Sequence, residues 1–227
     1  MIDDHLVSLG IFDKDDLASD ATDVLSNGRN KHNLDSDAGY GYKTDKERFH
    51  GYWAYFVTGT WSEIPRSTWV LPADNHQLNG AMVLFDHLEQ RDLRSASVII
   101  MDGAFDDKKC YSRSIELGLV PAVSYNPKKA RIKYFNYLRR NSWRKVALGN
   151  EGVRIRNLIM KHRSSVERYQ STFKDILKGR CLPVRGTVKV RKYILIAFIL
   201  SQLIGKVNWI KKRQRDISTS YNLNKFT

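Results

Sequence analysis

Residues 97–103 read SVIIMDG, a continuous apolar run that stops at an acidic residue and a glycine. Consecutive apolar side chains bounded by turn residues are typical of a central strand that is buried on both faces. A carboxylate at the end of such a strand is costly to bury, so it usually faces a cleft, a metal ion or a helix start. Asp102 is therefore a candidate functional residue, and capping of the next helix is the competing interpretation.

The sequence on either side of this run alternates between strand and helix patterns. Strands are predicted over residues 16–24, 51–60, 66–71, 97–101 and 120–125, and helices over 77–91, 107–117, 157–178 and 189–210. Residues 26–46 are rich in Gly, Asn and Asp and are expected to form a loop. Three strands followed by alternating helices and strands predict an α/β fold, a mixed five-stranded sheet with helices on both faces.

The composition is that of an ordinary globular protein of 227 residues, with 42% apolar and 27% charged side chains. This length suffices to bury a core, and the composition excludes a disordered tail or a disulfide-rich miniprotein. The two cysteines, Cys110 and Cys181, form no CxxC motif, which indicates a reducing compartment. A cytoplasmic protein is therefore expected.

The formal net charge of +14 is distributed very unevenly along the chain. Residues 1–107 hold 9 Lys and Arg against 19 Asp and Glu, whereas residues 108–227 hold 29 against 5. The first part therefore carries −10 and the second +24. A basic half joined to an acidic half indicates a polyanionic partner, and nucleic acid is favoured over a charge that only maintains solubility.

The most apolar segment is YILIAFILSQLIG, residues 193–205. It is shorter than the roughly 20 apolar residues that span a bilayer, so a buried helix is expected and no membrane partner. The N-terminus is acidic and lacks the pattern of a secretory signal peptide.

Basic and aromatic residues alternate in a segment at about 126–156, which is expected to be an insert. Its candidate DNA-binding residues are Lys128, Lys129, Arg131, Arg139, Arg140, Trp143 and Arg144. Basic groups neutralise phosphates, and an aromatic face can stack on a splayed base. The alternative is a small aromatic core with a solvated basic rim.

The predicted helix over 157–178 carries three charged residues on one narrow stripe. Arg163, Glu167 and Lys174 lie within about 40° of one another at 100° per residue, away from its apolar face. A solvated Arg163–Glu167 pair at spacing i,i+4 is the competing interpretation.

These acidic and basic residues also occur in the order of a known family's motifs. The segments are Asp20-Ala21-Thr22, Phe49-His50-Gly51-Tyr52, Asp102-Gly103-Ala104-Phe105-Asp106, Gly118–Val123 and Arg163-x3-Glu167-x6-Lys174. Over about residues 16–205 the chain resembles the catalytic core of DDE transposases of the insertion-sequence type, which has an RNase H-like fold. One departure is Met160, where the family signature has a tyrosine, and it concerns DNA positioning more than chemistry.

The resemblance implies an enzyme that cleaves transposon-end phosphodiester bonds and joins the 3′-hydroxyl to target DNA. Asp20, Asp102 and Glu167 would be both catalytic residues and metal ligands, holding two Mg²⁺ ions, with Mn²⁺ as an alternative. Arg163 and Lys174 would hold DNA phosphates, and pairing of two ends implies a homodimer on DNA. The alternatives are an RNase H-like nuclease without strand transfer and an inactive remnant that only binds DNA.

Transposases of this kind usually carry a helical DNA-binding region before the first aspartate, and here 19 residues precede Asp20. We expect an N-terminal remnant over 1–15, a catalytic domain over 16–210 and a basic tail over 211–227. The expectation is a catalytic core separated from its end-recognition domain.

Overall fold

A mixed six-stranded sheet forms the centre of the computed structural model, which describes residues 2–13, 15–27, 34–43, 47–91, 93, 96–124 and 160–211. The strands are β1 (Leu17–Leu25), β2 (Gly39–Tyr42), β3 (Arg48–Gly59), β4 (Pro65–Pro72), β5 (Val98–Met101) and β6 (Val120–Val123). The helices are α1 (Ile2–Ser8), α2 (Gln77–Glu89), α3 (Lys108–Glu116), α4 (Ser164–Asp175) and α5 (Thr187–Ile210). Short 3₁₀ turns occupy Gly103–Phe105 and Met160–Arg163.

The strand order is β2-β3-β1-β5-β6, and β4 lies beside β2 along the outer edge of β3. β1 pairs with β3 antiparallel and with β5 parallel, and β5 pairs with β6 in parallel. β5 pairs with β1 only over Leu17–Ser19, so the edge of β1 that continues past Ser19 is not paired with β5. This mixed α/β architecture confirms the predicted fold class, and five of the six strands are those predicted.

The sixth strand, β2, lies inside the segment predicted to be a loop. Its sequence GYGY alternates glycine, a weak strand former, with exposed tyrosines, so the strand pattern is hard to recognise. Close packing explains the glycines: a Cβ added at Gly41 would lie 2.7 Å from the Phe49 ring. Strand formation here depends on contacts that the local sequence does not reveal.

Helices cover both faces of the sheet, as predicted. α2 and α3 pack on one face against a core that includes Leu17 and Ile99, and α4 and α5 pack on the other against Ala18 and Phe56. Side chains alternate along β1, so Asp20 shares the face of Ala18 and points to the α4 side. The sheet therefore presents its first aspartate to the helix that carries Glu167.

The N-terminal residues pack against the last helix and the β3–β4 turn. Leu6, Ile11 and Phe12 form a buried cluster with Ile64, and Trp209 of α5 packs against it. Asp15 accepts a hydrogen bond from the Trp61 backbone N–H at 2.8 Å, which joins this segment to the turn.

The long helix α5 includes the predicted apolar segment. It packs against the sheet through residues such as Val190, Ile194 and Ala197, and it contacts α1 as well as β4. Its length and composition also meet the requirements of a membrane span, and 39% of its most apolar window is buried in the fold.

The other predicted helices occur with small changes at their ends. α4 is shorter than the prediction of 157–178, because the turn at Met160–Arg163 is 3₁₀ and the α-helix ends at Asp175. β6 likewise ends at Val123, before the predicted end at residue 125.

Candidate active site

Asp102 stands at the C-terminal end of β5 and begins the 3₁₀ turn at Gly103–Phe105. Its Oδ1 accepts the Gly103 backbone N–H at 2.5 Å and caps this turn, whereas the next helix, α3, has Asp107 as its N-cap. The same oxygen also lies 3.6 Å from Nη1 of Arg163, and the side chain is 45% exposed. Asp102 thus caps the turn and faces an open cleft at once.

Asp20 lies in the middle of β1, on the face covered by α4. Its Oδ1 accepts the Ala21 backbone N–H at 2.8 Å, which fixes the carboxylate next to the strand. Burial raises the pKa of Asp20 to about 6, the negative charges of Asp102 and Glu167 add to this, and Arg163 and the Ala21 N–H oppose it. Asp20 therefore interacts electrostatically with all the predicted residues of the cleft except Lys174.

Glu167 lies in the first turn of α4 and is bound by the preceding arginine. Nη2 of Arg163 donates to Oε1 of Glu167 at 2.6 Å, the i,i+4 pair of the competing interpretation. Because Nη1 of the same guanidinium faces Asp102, the pair is also a bridge between α4 and the end of β5. Half of the Glu167 side chain remains exposed to solvent.

Arg163 thus joins two of the three acidic residues, Asp102 and Glu167, and the third, Asp20, interacts with them electrostatically. All candidate ligands are carboxylate oxygens, which Mg²⁺ prefers, and the pKa of Asp20 is raised first by burial and then by the neighbouring negative charges, which Arg163 partly offsets. In the described part of the chain, however, no three Asp, Glu, His or Cys side chains are close enough to hold one ion. A metal ion at these oxygens would take the place of the bonds from Arg163.

Lys174 occupies a second cluster on β1. Its Nζ lies 2.7 Å from Oδ1 of Asp23, and Nζ of Lys43 lies 3.1 Å from Oδ2 of the same carboxylate. These two cations lower the pKa of Asp23 against the opposing effect of its burial. The structure therefore places Lys174 in an ion pair, near the cleft but not in contact with Asp102 or Glu167.

Asp23 and Lys43 were not identified from the sequence. Asp23 follows Asp20 by three residues, so strand alternation predicts it on the face away from α4, and no motif distinguishes it from other acids. Lys174 of α4 nevertheless reaches it, beside the part of β1 that does not pair with β5. Lys43 follows β2, the strand that the sequence pattern did not reveal. Only the pairing of β1, β2 and β3 brings these residues to α4.

The predicted DNA-binding residues of the insert, Lys128, Lys129, Arg131, Arg139, Arg140, Trp143 and Arg144, lie outside the described residues. The two interpretations of that segment, a DNA-binding surface and a local aromatic core, both remain predictions.

Together the mixed sheet, the helices on both faces and the carboxylates at adjacent parallel strands define an RNase H-like domain. A family model described as Transposase DDE domain matches residues 11–203, and the chain belongs to this family of transposases. No curated protein matches the chain at a significant level. Membership in the family implies an enzyme of the polynucleotidyl transferase or nuclease type with DNA as its substrate, and it confirms the family predicted from the motifs.

Proposed function

We propose that this chain is the catalytic core of a metal-dependent DNA transposase. It cleaves phosphodiester bonds at transposon ends and transfers the resulting 3′-hydroxyl to target DNA in the cytoplasm. The observation that supports this most directly is the bridge that Arg163 forms between Asp102 at the end of β5 and Glu167 of α4, with both carboxylates acting electrostatically on the buried Asp20. Acidic residues from separate elements that perturb one another's pKa in a cleft indicate a functional site.

Asp20, Asp102 and Glu167 would hold the metal ions. Two Mg²⁺, or Mn²⁺ in their place, would activate the attacking oxygen and stabilise the departing one. The backbone N–H groups of Ala21 and Gly103 hold Oδ1 of each aspartate, so both carboxylates are oriented before any ligand arrives. β1 and β5 are neighbouring parallel strands whose pairing ends at Ser19 and Met101, one residue before each aspartate.

Arg163 is proposed to exchange partners during the reaction cycle. In the structure it binds Glu167 and faces Asp102, and these bonds balance part of the acidic charge. When the carboxylates bind cations instead, the guanidinium becomes available for a DNA phosphate, which it can hold in a bidentate manner. We propose that Lys174 and the basic insert also bind DNA phosphates. A second copy of the chain would bind the other transposon end, so that the active assembly is a homodimer on DNA.

The test is a nicking and joining assay with purified protein and Mg²⁺. Nicking is followed on supercoiled plasmid, and joining on a duplex with a free 3′-hydroxyl end taken from the DNA that flanks the coding sequence. Asp102→Asn and Glu167→Gln are expected to abolish both reactions. Asp175→Asn is the matched control, because Asp175 lies on the same helix as Glu167 but pairs with Arg180 on the exposed surface.

The outcomes separate the alternatives. Nicking without joining identifies a nuclease, and DNA binding with neither reaction identifies a remnant that only binds DNA. Full activity in Asp102→Asn or Glu167→Gln would contradict the proposed site.

A further inference from the structure

A second concave site lies at the β4 edge of the sheet, apart from the carboxylates. It is a cavity of about 430 Å³ between the C-terminal half of α2 and the N-terminal half of α5. Ser67, Thr68, Trp69 and Val70 of β4 form its floor. None of the active-site residues proposed above lines it.

The lining of this cavity combines positive charge with an apolar wall. Arg91, Arg191 and Lys192 contribute the cations, and no acidic residue is among the described residues that line it. Ile194, Leu195 and Phe198 form the apolar wall. Such a lining favours an anionic ligand that also carries an apolar or aromatic part.

Arg191 is held in position before any ligand binds. Its Nε donates to the Val70 carbonyl at 3.3 Å, and its guanidinium carbon lies 4.1 Å from the centre of the Trp69 ring. A guanidinium that is stacked and hydrogen-bonded loses little conformational freedom when its terminal nitrogens bind an oxyanion.

The sheet register relates this cavity to the catalytic carboxylates. Asp20 pairs with Phe56, and Phe56 pairs with Thr68, so Thr68 lies on the same cross-strand row as Asp20. Two strand spacings separate them, about 10 Å. α4 packs on Phe56 between the two sites through Tyr169 and Phe173.

We propose that this cavity binds a phosphate group of a nucleotide unit, with DNA as its source. Arg91, Arg191 and Lys192 would contact the phosphate oxygens, and the apolar wall would contact sugar or base. This inference rests on DNA as the substrate, which family membership implies, and not on the proposed chemistry at Asp102. It adds an anchoring site for DNA outside the catalytic cleft.

The experiment compares two charge reversals on the exposed surface of α5. Lys192→Glu changes a residue that lines the cavity, and Lys189→Glu makes the same change one turn earlier, outside it. Affinity for a fluorescein-labelled 30-bp duplex is measured by anisotropy at several NaCl concentrations. Lys192→Glu is expected to weaken binding roughly ten-fold and to reduce the salt slope by about 1, whereas Lys189→Glu changes affinity less than about two-fold.

Further measurements distinguish the source of the phosphate. Titration calorimetry with adenosine monophosphate and with inorganic phosphate tests free anions. If Lys192→Glu abolishes binding of these anions but leaves duplex affinity unchanged, the cavity is a phosphate site for a free nucleotide and not for DNA. Equal losses of duplex affinity in Lys192→Glu and Lys189→Glu would overturn the proposal. Unchanged affinity for the duplex and for both free anions in Lys192→Glu and in the neutral Lys192→Gln would overturn it as well. Duplex affinity is measured without any cleavage, so a wild-type protein that binds DNA but does not nick it would contradict the proposed catalysis and not this site.

Discussion

Two aspartates of the same strand, three residues apart, have opposite electrostatic environments. Burial raises the pKa of Asp20 to about 6, the negative charges of Asp102 and Glu167 add to the rise, and Arg163 opposes it. Asp23 binds two lysines directly, at 2.7 and 3.1 Å, and its pKa is lowered. Negative charge is therefore in excess around Asp20, whereas the charge of Asp23 is balanced by Lys174 and Lys43.

The difference shows that one strand can hold a carboxylate with an excess of negative charge around it and another whose charge is matched by lysines. An under-compensated carboxylate costs stability and gains from a cation, as expected of a metal ligand. A carboxylate between two ammonium groups stabilises the fold and attaches α4 and the end of β2 to β1. The predictions below test this distinction, from the largest expected effect to the smallest.

The largest difference is expected in activity. Asp20→Asn should reduce the Mg²⁺-dependent nicking rate by about a thousand-fold or more, because it removes a carboxylate proposed to hold the metal. Asp23→Asn should leave the rate at saturating DNA within about ten-fold of wild type, because Asp23 contacts no reacting group. Initial nicking rates of folded proteins, checked by circular dichroism, measure this. Similar losses in both variants would remove the functional distinction.

The second prediction concerns stability of the metal-free protein and its pH dependence. Because the folded-state pKa of Asp20 is raised, its favourable protonated form contributes fully below pH 3.8, and this contribution is lost as the pH rises through about 6. Asp20→Asn should therefore raise the free energy of unfolding by about 2 kcal/mol at pH 8 and hardly at all at pH 4. Urea unfolding in EDTA measures both values. A destabilised variant at pH 8 would contradict the raised pKa.

Asp23→Asn should act in the opposite direction. The pKa of Asp23 is lowered, so its stabilising charge is present above pH 3.8 and lost as the pH falls through the lower folded-state value. The variant should lose about 1 to 2 kcal/mol at pH 7, and the deficit should shrink towards pH 3. The same urea unfolding experiment at the two pH values tests this, with the exposed Asp175→Asn as control. A deficit independent of pH would indicate a packing effect instead.

The smallest effect should distinguish the two lysines that bind Asp23. The Lys43 side chain is more exposed than that of Lys174, and its Nζ also lies 3.2 Å from Oε1 of Glu47. Lys43→Gln should therefore destabilise the protein by less than about 0.5 kcal/mol, and Lys174→Gln by about 1 kcal/mol. Thermal unfolding at low and high salt resolves the two, since the contribution of the exposed pair is screened first. A larger effect from Lys43 would reverse this order.

Much of the fold was predictable because local patterns match their surroundings. The apolar run before Asp102 is a buried parallel strand. α3 was predicted to begin at Asp107, which is its N-cap, and its first helical residue is Lys108. β2 was missed because a glycine-tyrosine alternation owes its strand conformation to β3 and to close contacts of its glycines. Helix ends differed by a few residues, as end geometry depends on local hydrogen bonds.

The site was predictable in part. Asp20, Asp102 and Glu167 were chosen from their motif settings, and in the structure Arg163 contacts Asp102 and Glu167 while both carboxylates act electrostatically on Asp20. The helical periodicity placed Arg163 and Lys174 on one stripe but gave no information about their partners. The structure places Arg163 between Glu167 and the end of β5 and Lys174 on Asp23 of β1, because the two side chains are about three turns apart.

The sequence by itself determined the class of the fold, the family and the acidic residues of the site, because apolar periodicity and motif order are properties of the chain. It also showed that the charge is divided between an acidic and a basic half. Only the tertiary structure decided which charges meet: Arg163 with Asp102, Lys174 and Lys43 with Asp23, and Arg191 with the β4 edge. These contacts join residues that are up to 151 positions apart, and such distances are set by strand pairing and helix packing, which no local pattern contains.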